Sequence, residues 1–163
     1  MNHPKFSKSA HPGKEEFKRR VEWGLVAQNK VRQDLLDRGI DILNEDFATF
    51  QEHMPRVEIP EPDIECKYTY VEVRRQGFYE EVLLGYTKKL DGWMHHSELK
   101  GKELLFVMLD KSMDNIAWVS LTRHADKVYS KQNSDGDDDY ALPLYLFTQH
   151  KYDKGMNILA VLI

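Results

Sequence analysis

Hydrophobic residues recur every three to four positions over residues 14–38, which is the spacing of one face of an amphipathic helix. The residues on that face are Phe17, Val21, Gly24, Val31 and Leu35. Gly39 follows them, and glycine commonly ends a helix at this position because it accepts the left-handed backbone conformation. The pattern therefore predicts a helix over residues 14–38.

Runs of β-branched and aromatic residues predict strands after this helix. The predicted strands span residues 68–74, 103–110, 116–122, 140–148 and 156–163. Segment 75–102 fits either a crossover helix or a further pair of strands. Because one helix precedes a strand-rich body, we expect an α+β fold, in which the N-terminal amphipathic helix packs on a mixed central sheet.

The chain has 163 residues, of which 41% are hydrophobic, and this is enough for one folded domain. We expect that domain to span residues 14–163, preceded by a flexible basic arm over residues 1–13. No apolar run is long enough to cross a bilayer. The chain contains a single cysteine, Cys66, and no secretory signal, so the sequence predicts a cytoplasmic protein.

Charge is distributed unevenly along the chain, although the net charge is only -4. The N-terminal segment is rich in Lys and Arg, whereas acidic residues cluster at Asp135, Asp137, Asp138 and Asp139. A basic surface of this kind can meet phosphate groups while acidic loops point elsewhere. The charge pattern neither favours nor excludes a nucleic-acid partner.

Two acidic residues lie on the two arms of a predicted hairpin. Asp63 follows Pro62 on the first arm, and Glu72 lies on the second arm in the sequence Glu72-Val73-Arg74. Alternate residues of a strand share a face, so Glu72 and Arg74 point to the same side. Carboxylates on both arms can converge on one divalent cation, a geometry suited to metal-dependent phosphodiester chemistry.

These residues resemble the signature of the PD-(D/E)xK nuclease superfamily, which includes phage junction-resolving endonucleases and many restriction enzymes. Pro62-Asp63 matches the first part of the signature, and Glu72-Val73-Arg74 matches the second, with Arg where the family has Lys. As an architecture, the resemblance covers about residues 15–125. It implies a restriction-endonuclease-like core: a helix, a three-strand meander, a crossover helix and a parallel fourth strand.

The resemblance implies an endonuclease that hydrolyses duplex or branched DNA with Mg²⁺ or Mn²⁺. Asp63, Glu72 and the backbone carbonyl of Val73 are the implied metal ligands, and Arg74 is the implied phosphate contact. Gln28 lies within the apolar face of the predicted helix, where the family presents an acidic residue. Gln28 either binds the metal through its amide oxygen or a water molecule, or it forms a hydrogen bond inside the core. A homodimer is a further expectation, because cutting two strands takes two sites, and no membrane partner is expected.

Two other readings remain open. In the first, Gln28 and Arg74 mark a catalytically degenerate nuclease fold that binds nucleic acid or a host or partner protein. In the second, the chain is a small interaction domain whose hairpin acids only decorate its surface. Three rival motifs, Glu65-Cys66-Lys67, His95-His96 and the 135–139 acidic run, lack the spacing of a catalytic or metal site.

Overall fold

The computed structural model describes Phe6, residues 12–44 and residues 61–163. Its first helix, α1, spans Lys14–Asp37, which confirms the predicted element. Gly39 has a φ of 79°, and the N–H of Ile40 donates to the carbonyl of Leu35 at 3.0 Å. This left-handed turn satisfies a terminal carbonyl and ends the helix.

The main sheet contains five strands in the order β1-β2-β4-β5-β8, and a second sheet contains three in the order β3-β7-β6. The strands are β1 Ile64–Glu65, β2 Thr69–Arg75, β3 Glu81–Tyr86, β4 Glu103–Leu109, β5 Asn115–Ser120, β6 Tyr129–Gln132, β7 Asp138–Pro143 and β8 Thr148–Lys151. β2 is parallel to β4, and the other neighbours in the main sheet are antiparallel. The protein therefore has the expected α+β fold with a mixed sheet.

Segment 75–102 contains the crossover helix, one of the two structures that its sequence allowed, and a single strand in place of the alternative pair of strands. β3 leaves the main sheet and pairs with β7, and helix α2 then spans Thr87–Lys100 and returns the chain to β4. A β-bulge interrupts β3 between Leu83 and Gly85. Gly85 has a φ of 114°, a conformation that favours glycine because it has no Cβ.

The predicted strand over residues 156–163 is wrong, because these residues belong to helix α3, Tyr152–Leu162. The buried residues of α3 are Tyr152, Gly155, Met156 and Leu159, a spacing of three to four that suits a helix. A Cβ added at Gly155 would overlap the side chain of Ile116, so this glycine lets α3 lie close to the sheet. The predicted continuous strand over 140–148 is also wrong: residues 140–143 belong to β7 and Thr148 begins β8, whereas Leu144–Leu146 form a short 3-10 helix between them.

The two faces of the main sheet carry separate hydrophobic cores. α1 and α3 cover one face, where Val71 and Val73 of β2 point. α2 and the small sheet cover the other, where Tyr70 of β2 points. Because side chains alternate along a strand, Glu72 and Arg74 point toward the α2 side.

Most of the expected 1–13 arm lies outside the described residues, which include only Phe6, Pro12 and Gly13 of it. Among the described residues, no helix is long and apolar enough to cross a membrane.

Candidate active site

The register of the β1–β2 hairpin brings Asp63 and Glu72 together. Ile64 pairs with Val71, and one further step along the same register places Asp63 opposite Glu72. The backbone N–H of Asp63 donates to Oε2 of Glu72 at 3.2 Å. The N–H of Val73 donates to Oδ2 of Asp63 at 2.9 Å. Each carboxylate is thus fixed by the backbone of the opposite arm.

The backbone of Asp63 is anchored to α1 as well. Its carbonyl oxygen accepts hydrogen bonds from Nη2 of Arg32 at 3.1 Å and from Nδ2 of Asn44 at 2.9 Å. The amide oxygen of Asn44 also accepts the N–H of Glu65 at 2.9 Å. Arg32 and Asn44 therefore position the entry to β1, although neither was singled out in the sequence, where they carry no motif.

Arg74 shares the face of Glu72 and pairs with it. Its Nε lies 3.4 Å from Oε1 of Glu72, and its guanidinium carbon lies 5.4 Å from the centre of the Trp93 ring on α2. A Cβ built at Gly85 would lie 3.4 Å from Nη2 of Arg74. The guanidinium is therefore bordered by α2 and β3 on the side where it meets the two acids.

Lys89, on the first turns of α2, is the charged residue that the sequence motif missed. Desolvation lowers the pKa of its ammonium group, and the charge of Arg74 lowers this pKa further. The carboxylates of Glu72 and Asp63 raise this pKa. Lys89 lines the same cleft as both acids, although its side chain is exposed to solvent. The sequence alone does not place Lys89 near the acids, because segment 75–102 fits either a helix or a pair of strands.

The carboxyl groups of Asp63 and Glu72 are harder to ionise than isolated acids. Burial is the largest effect and raises the pKa of both groups; Glu72 is only 5% exposed. The charge of Asp63 raises the pKa of Glu72 further, whereas Arg74 and Lys89 lower it. Two neighbouring acids in a poorly solvated site need compensating positive charge, so the pair is electrostatically suited to a cation.

An open cleft of about 660 Å³ begins at this acidic pair. Gln28 lines the cleft together with Phe17, Val21 and Gly24 of α1. The N-terminal half of the apolar face therefore borders a cavity, while Ala27, Val31 and Leu35 enter the core. Gln28 is half-buried and makes no side-chain hydrogen bond to any described residue, so its amide is available to a water molecule or ligand in the cleft.

The oxygen donors at the acidic pair fit a hard divalent cation such as Mg²⁺. Asp63 and Glu72 each use one carboxylate oxygen for a backbone N–H. The second oxygen of Glu72, Oε1, faces Nε of Arg74 at 3.4 Å, so a cation would compete with Arg74 for it. The carbonyl of Val73 faces the same edge as its N–H, because both groups of a strand residue point to one neighbour. Within the described ranges, no group of three or more His, Cys, Asp or Glu could hold a metal ion. Water or phosphate oxygens would complete the shell, as is usual for Mg²⁺.

Two of the rival motifs, Glu65-Cys66-Lys67 and the 135–139 acidic run, make contacts within the protein. Oε1 of Glu65 pairs with Nζ of Lys100 at 2.8 Å and with Nζ of Lys102 at 2.7 Å. The backbone N–H groups of Asp135 and Asp137 both donate to Oδ1 of Asn133 at 3.0 Å, which forms a tight acidic turn. Glu65 and the acidic run thus have roles in the fold that need no ligand.

Comparison with models of protein families gave no match, and neither did comparison with curated proteins. The functional assignment therefore rests on the geometry of the cleft.

We expect the neutral variant Glu72→Gln to be more stable than the wild type at about pH 8. Because the pKa of Glu72 is raised in the folded protein, the folded state holds its proton more tightly than the unfolded chain. Stability therefore falls as pH rises above the ordinary value of 4.5. Removing the charge should raise Tm by a few degrees, since 1 kcal/mol corresponds to roughly 2–4 °C in a domain of this size.

Thermal unfolding in metal-free buffer, followed by circular dichroism across the acidic and neutral range, measures this difference. The advantage of the variant should shrink as pH approaches 4.5. Two Tm curves that stay parallel over the whole range would show that Glu72 does not ionise abnormally.

Proposed function

We propose that the protein is a divalent-metal-dependent endonuclease that hydrolyses phosphodiester bonds in DNA, with Mg²⁺ or Mn²⁺ as cofactor. The observation that carries this proposal is the pairing of buried Glu72 with half-buried Asp63, which reciprocal hydrogen bonds hold side by side at an open cleft. Arg74 and Lys89 add positive charge beside them. Together, the acidic pair, the neighbouring cations and the open cleft favour a site that binds a phosphate ester over acidic residues that merely lie on the surface.

The order of elements supports the same proposal. α1 is followed by the antiparallel pair β1–β2, by the crossover helix α2, and by β4 parallel to β2. This agrees with the nuclease core for its helix, two strands of the meander, crossover and parallel strand. The acidic pair also lies on the hairpin, where the resemblance places it.

Each residue has a distinct part in the proposed reaction. Asp63 and Glu72 hold the cation, whose chemistry is to acidify a bound water and neutralise charge on the phosphate. Arg74 binds a phosphate oxygen through the planar donor fork of its guanidinium group. Lys89 has a lowered pKa, so it is the better group to pass a proton to the oxygen that leaves phosphorus. Lys89 thereby supplies the lysine that the strand motif lacks.

Replacing Asp63 with Asn should lower Mg²⁺-dependent nicking of plasmid DNA by about 10²-fold or more, because metal stabilisation of a transition state amounts to several kcal/mol. The amide keeps an oxygen for the N–H of Val73, so the fold should persist. Glu65→Gln is the matched control, because Glu65 lies two residues away on the hairpin and its carboxylate pairs with Lys100 and Lys102. Full activity in Asp63→Asn would refute the assigned site.

Replacing Lys89 with Met should reduce nicking by about 10²-fold if the residue transfers a proton, which is typical of general acid–base groups. Its neighbour Lys88 is exposed like Lys89 but does not line the cleft, so it provides the control Lys88→Met, which should retain wild-type rates. A Lys89→Arg variant separates proton transfer from charge, since Arg keeps the charge but does not exchange the proton. Equal rates for the Lys88 and Lys89 variants would remove Lys89 from the mechanism.

A second candidate is a catalytically degenerate nuclease fold that binds nucleic acid or a partner protein without metal. The specific observation in its favour is that Glu72 already pairs with Arg74 at 3.4 Å and each acid accepts a backbone N–H. The site is thus partly compensated by the protein itself. This candidate predicts DNA binding in chelator and no nicking by the wild type with Mg²⁺ or Mn²⁺.

A further inference from the structure

A glycine lies on the side of α1 that lines the cleft, between Val21 and Gln28. This residue, Gly24, lines the cleft as they do, and it lies in the interior of the helix. Glycine is less favourable than alanine at such a position, because it loses more backbone freedom when the helix forms. A gain elsewhere, in packing or in binding, would offset this cost.

No feature of the described structure requires a glycine at position 24. The φ of Gly24 is not positive, and a Cβ built there would meet no atom of the described residues within 4 Å. Gly155 of α3 differs, because a Cβ there would overlap the side chain of Ile116. The space beside Gly24, which we call the Gly24 opening, is therefore available to a ligand that enters the cleft.

Arg75, at the end of β2, lies next to the Gly24 opening. Its Nη1 donates to the carbonyl oxygen of Trp23, the residue before Gly24, at 3.2 Å. Its Nε and Nη2 donate to the carbonyl oxygen of Lys111 at 3.1 Å and 2.8 Å. A guanidinium group has five N–H donors, so Arg75 is held in place and still has N–H groups for a ligand.

The positive charge of Arg75 has no direct acidic partner within the described residues, Phe6, 12–44 and 61–163, since its hydrogen bonds go to neutral carbonyl oxygens. Desolvation lowers the pKa of its guanidinium group, and the charge of Asp110 raises this pKa. The carboxylate of Asp110 accepts hydrogen bonds from Nδ2 of Asn115 at 2.6 Å and from the N–H of Asp114 at 2.9 Å. A fixed guanidinium group bound only to carbonyl oxygens is well suited to a phosphate group.

The spacing along β2 relates Arg75 to the acidic pair. Arg75 lies three residues after Glu72 on this strand, which corresponds to about 10 Å at roughly 3.3 Å per residue. Successive phosphates of one DNA strand are separated by about 3.4 Å along the helix axis. A phosphate beside Arg75 would therefore lie up to about three nucleotides from a phosphate at Glu72.

We propose that Gly24 and Arg75 form a second phosphate-binding position, which holds a non-scissile phosphate of the DNA strand. The strand passes through the Gly24 opening, the remaining N–H groups of Arg75 bind its phosphate, and the scissile phosphate lies at Asp63 and Glu72. This inference rests on the proposed function and deepens it, because it names the contact that fixes the strand beside the acidic pair.

Fluorescence anisotropy with a fluorescein-labelled DNA duplex over a range of KCl concentrations tests the part of Arg75. Full-length Asp63→Asn protein in chelator serves as the parent, so that binding is measured without hydrolysis. Arg75→Gln should weaken binding about tenfold. It should also lower the slope of log affinity against log salt by about one, because one phosphate contact is lost. Arg75→Lys keeps the charge and should retain the slope.

Arg123→Gln is the matched control, because it removes the same charge at a distant position. The Arg123 side chain is 74% exposed, its Nε lies 3.1 Å from Oε1 of Glu103, and it does not line the cleft. Its salt slope should equal that of the parent protein. A contact that only stabilises the fold would change Tm and leave the salt slope of the folded protein unchanged, so the slope separates the two roles.

Substitutions at Gly24 test the opening itself. Gly24→Ala should raise Tm by roughly 1–4 °C, because alanine favours the helix, and yet weaken DNA binding. Gly24→Leu should fold, since the opening has room for a side chain, and should weaken binding about tenfold by filling the space of the strand. Val26→Leu is the control, because Val26 is 49% exposed on the same helix and does not line the cleft. It should bind like the parent protein.

Failure of the inference and failure of the proposed function give different results. Unchanged affinity and salt slope in Arg75→Gln, or unchanged affinity in Gly24→Leu, would overturn the inference even if the wild type nicks plasmid DNA. If Arg75→Gln does not fold, the Gly24 variants decide the matter in the same way. Weakened binding in the variants of both residues, with a wild type that never cleaves in Mg²⁺ or Mn²⁺, would support the inference and overturn the endonuclease assignment.

Discussion

The reciprocal hydrogen bonds between the arms of the β1–β2 hairpin hold two acidic side chains in contact inside a low-dielectric site. The N–H of Asp63 binds Glu72, and the N–H of Val73 binds Asp63. Because both bonds come from the backbone, neither acid can move away from the other without loss of hairpin geometry. The raised pKa of each group records the electrostatic cost of this arrangement.

Positive charge reaches the acidic pair from two directions. Arg74 comes from the same strand as Glu72, by alternation of side chains, and Lys89 comes from α2, which the crossover places over the same face. Gly85 of β3 lies beside Arg74, and its φ of 114° is the reason that glycine is favoured there. The site therefore depends on the β2–α2–β4 crossover as well as on the hairpin. A partly compensated acidic pair is well suited to exchange a charge partner for a metal ion or a phosphate.

Local patterns in the sequence determined much of this arrangement. Helix α1 was predictable because its apolar spacing and Gly39 agree, and the convergence of Asp63 and Glu72 followed from a hairpin with an acid on each arm. The last helix was not predictable, because a short apolar run over residues 156–163 fits a buried strand as well as a helix. Tertiary packing determines that these residues form a helix, because Gly155 lets α3 approach Ile116.

Two features of the site needed the three-dimensional structure. Lys89 is distant from the motif in sequence and reaches it only through the crossover. Gln28 was visible as a polar residue on an apolar face, but hydrophobic spacing does not distinguish a face that enters the core from one that lines a cleft. The N-terminal half of the apolar face of α1 lines the cleft. This explains why a glutamine and a half-exposed phenylalanine occur on that face.

Isothermal titration calorimetry with Mn²⁺ tests most directly whether Asp63 and Glu72 share a cation. The wild type should bind the ion with measurable heat, and the affinity should fall at least about tenfold in Asp63→Asn, as is typical when metal-site residues are replaced. Glu65→Gln should bind like the wild type. No saturable binding to the wild type, or equal affinity in Asp63→Asn, would contradict the account.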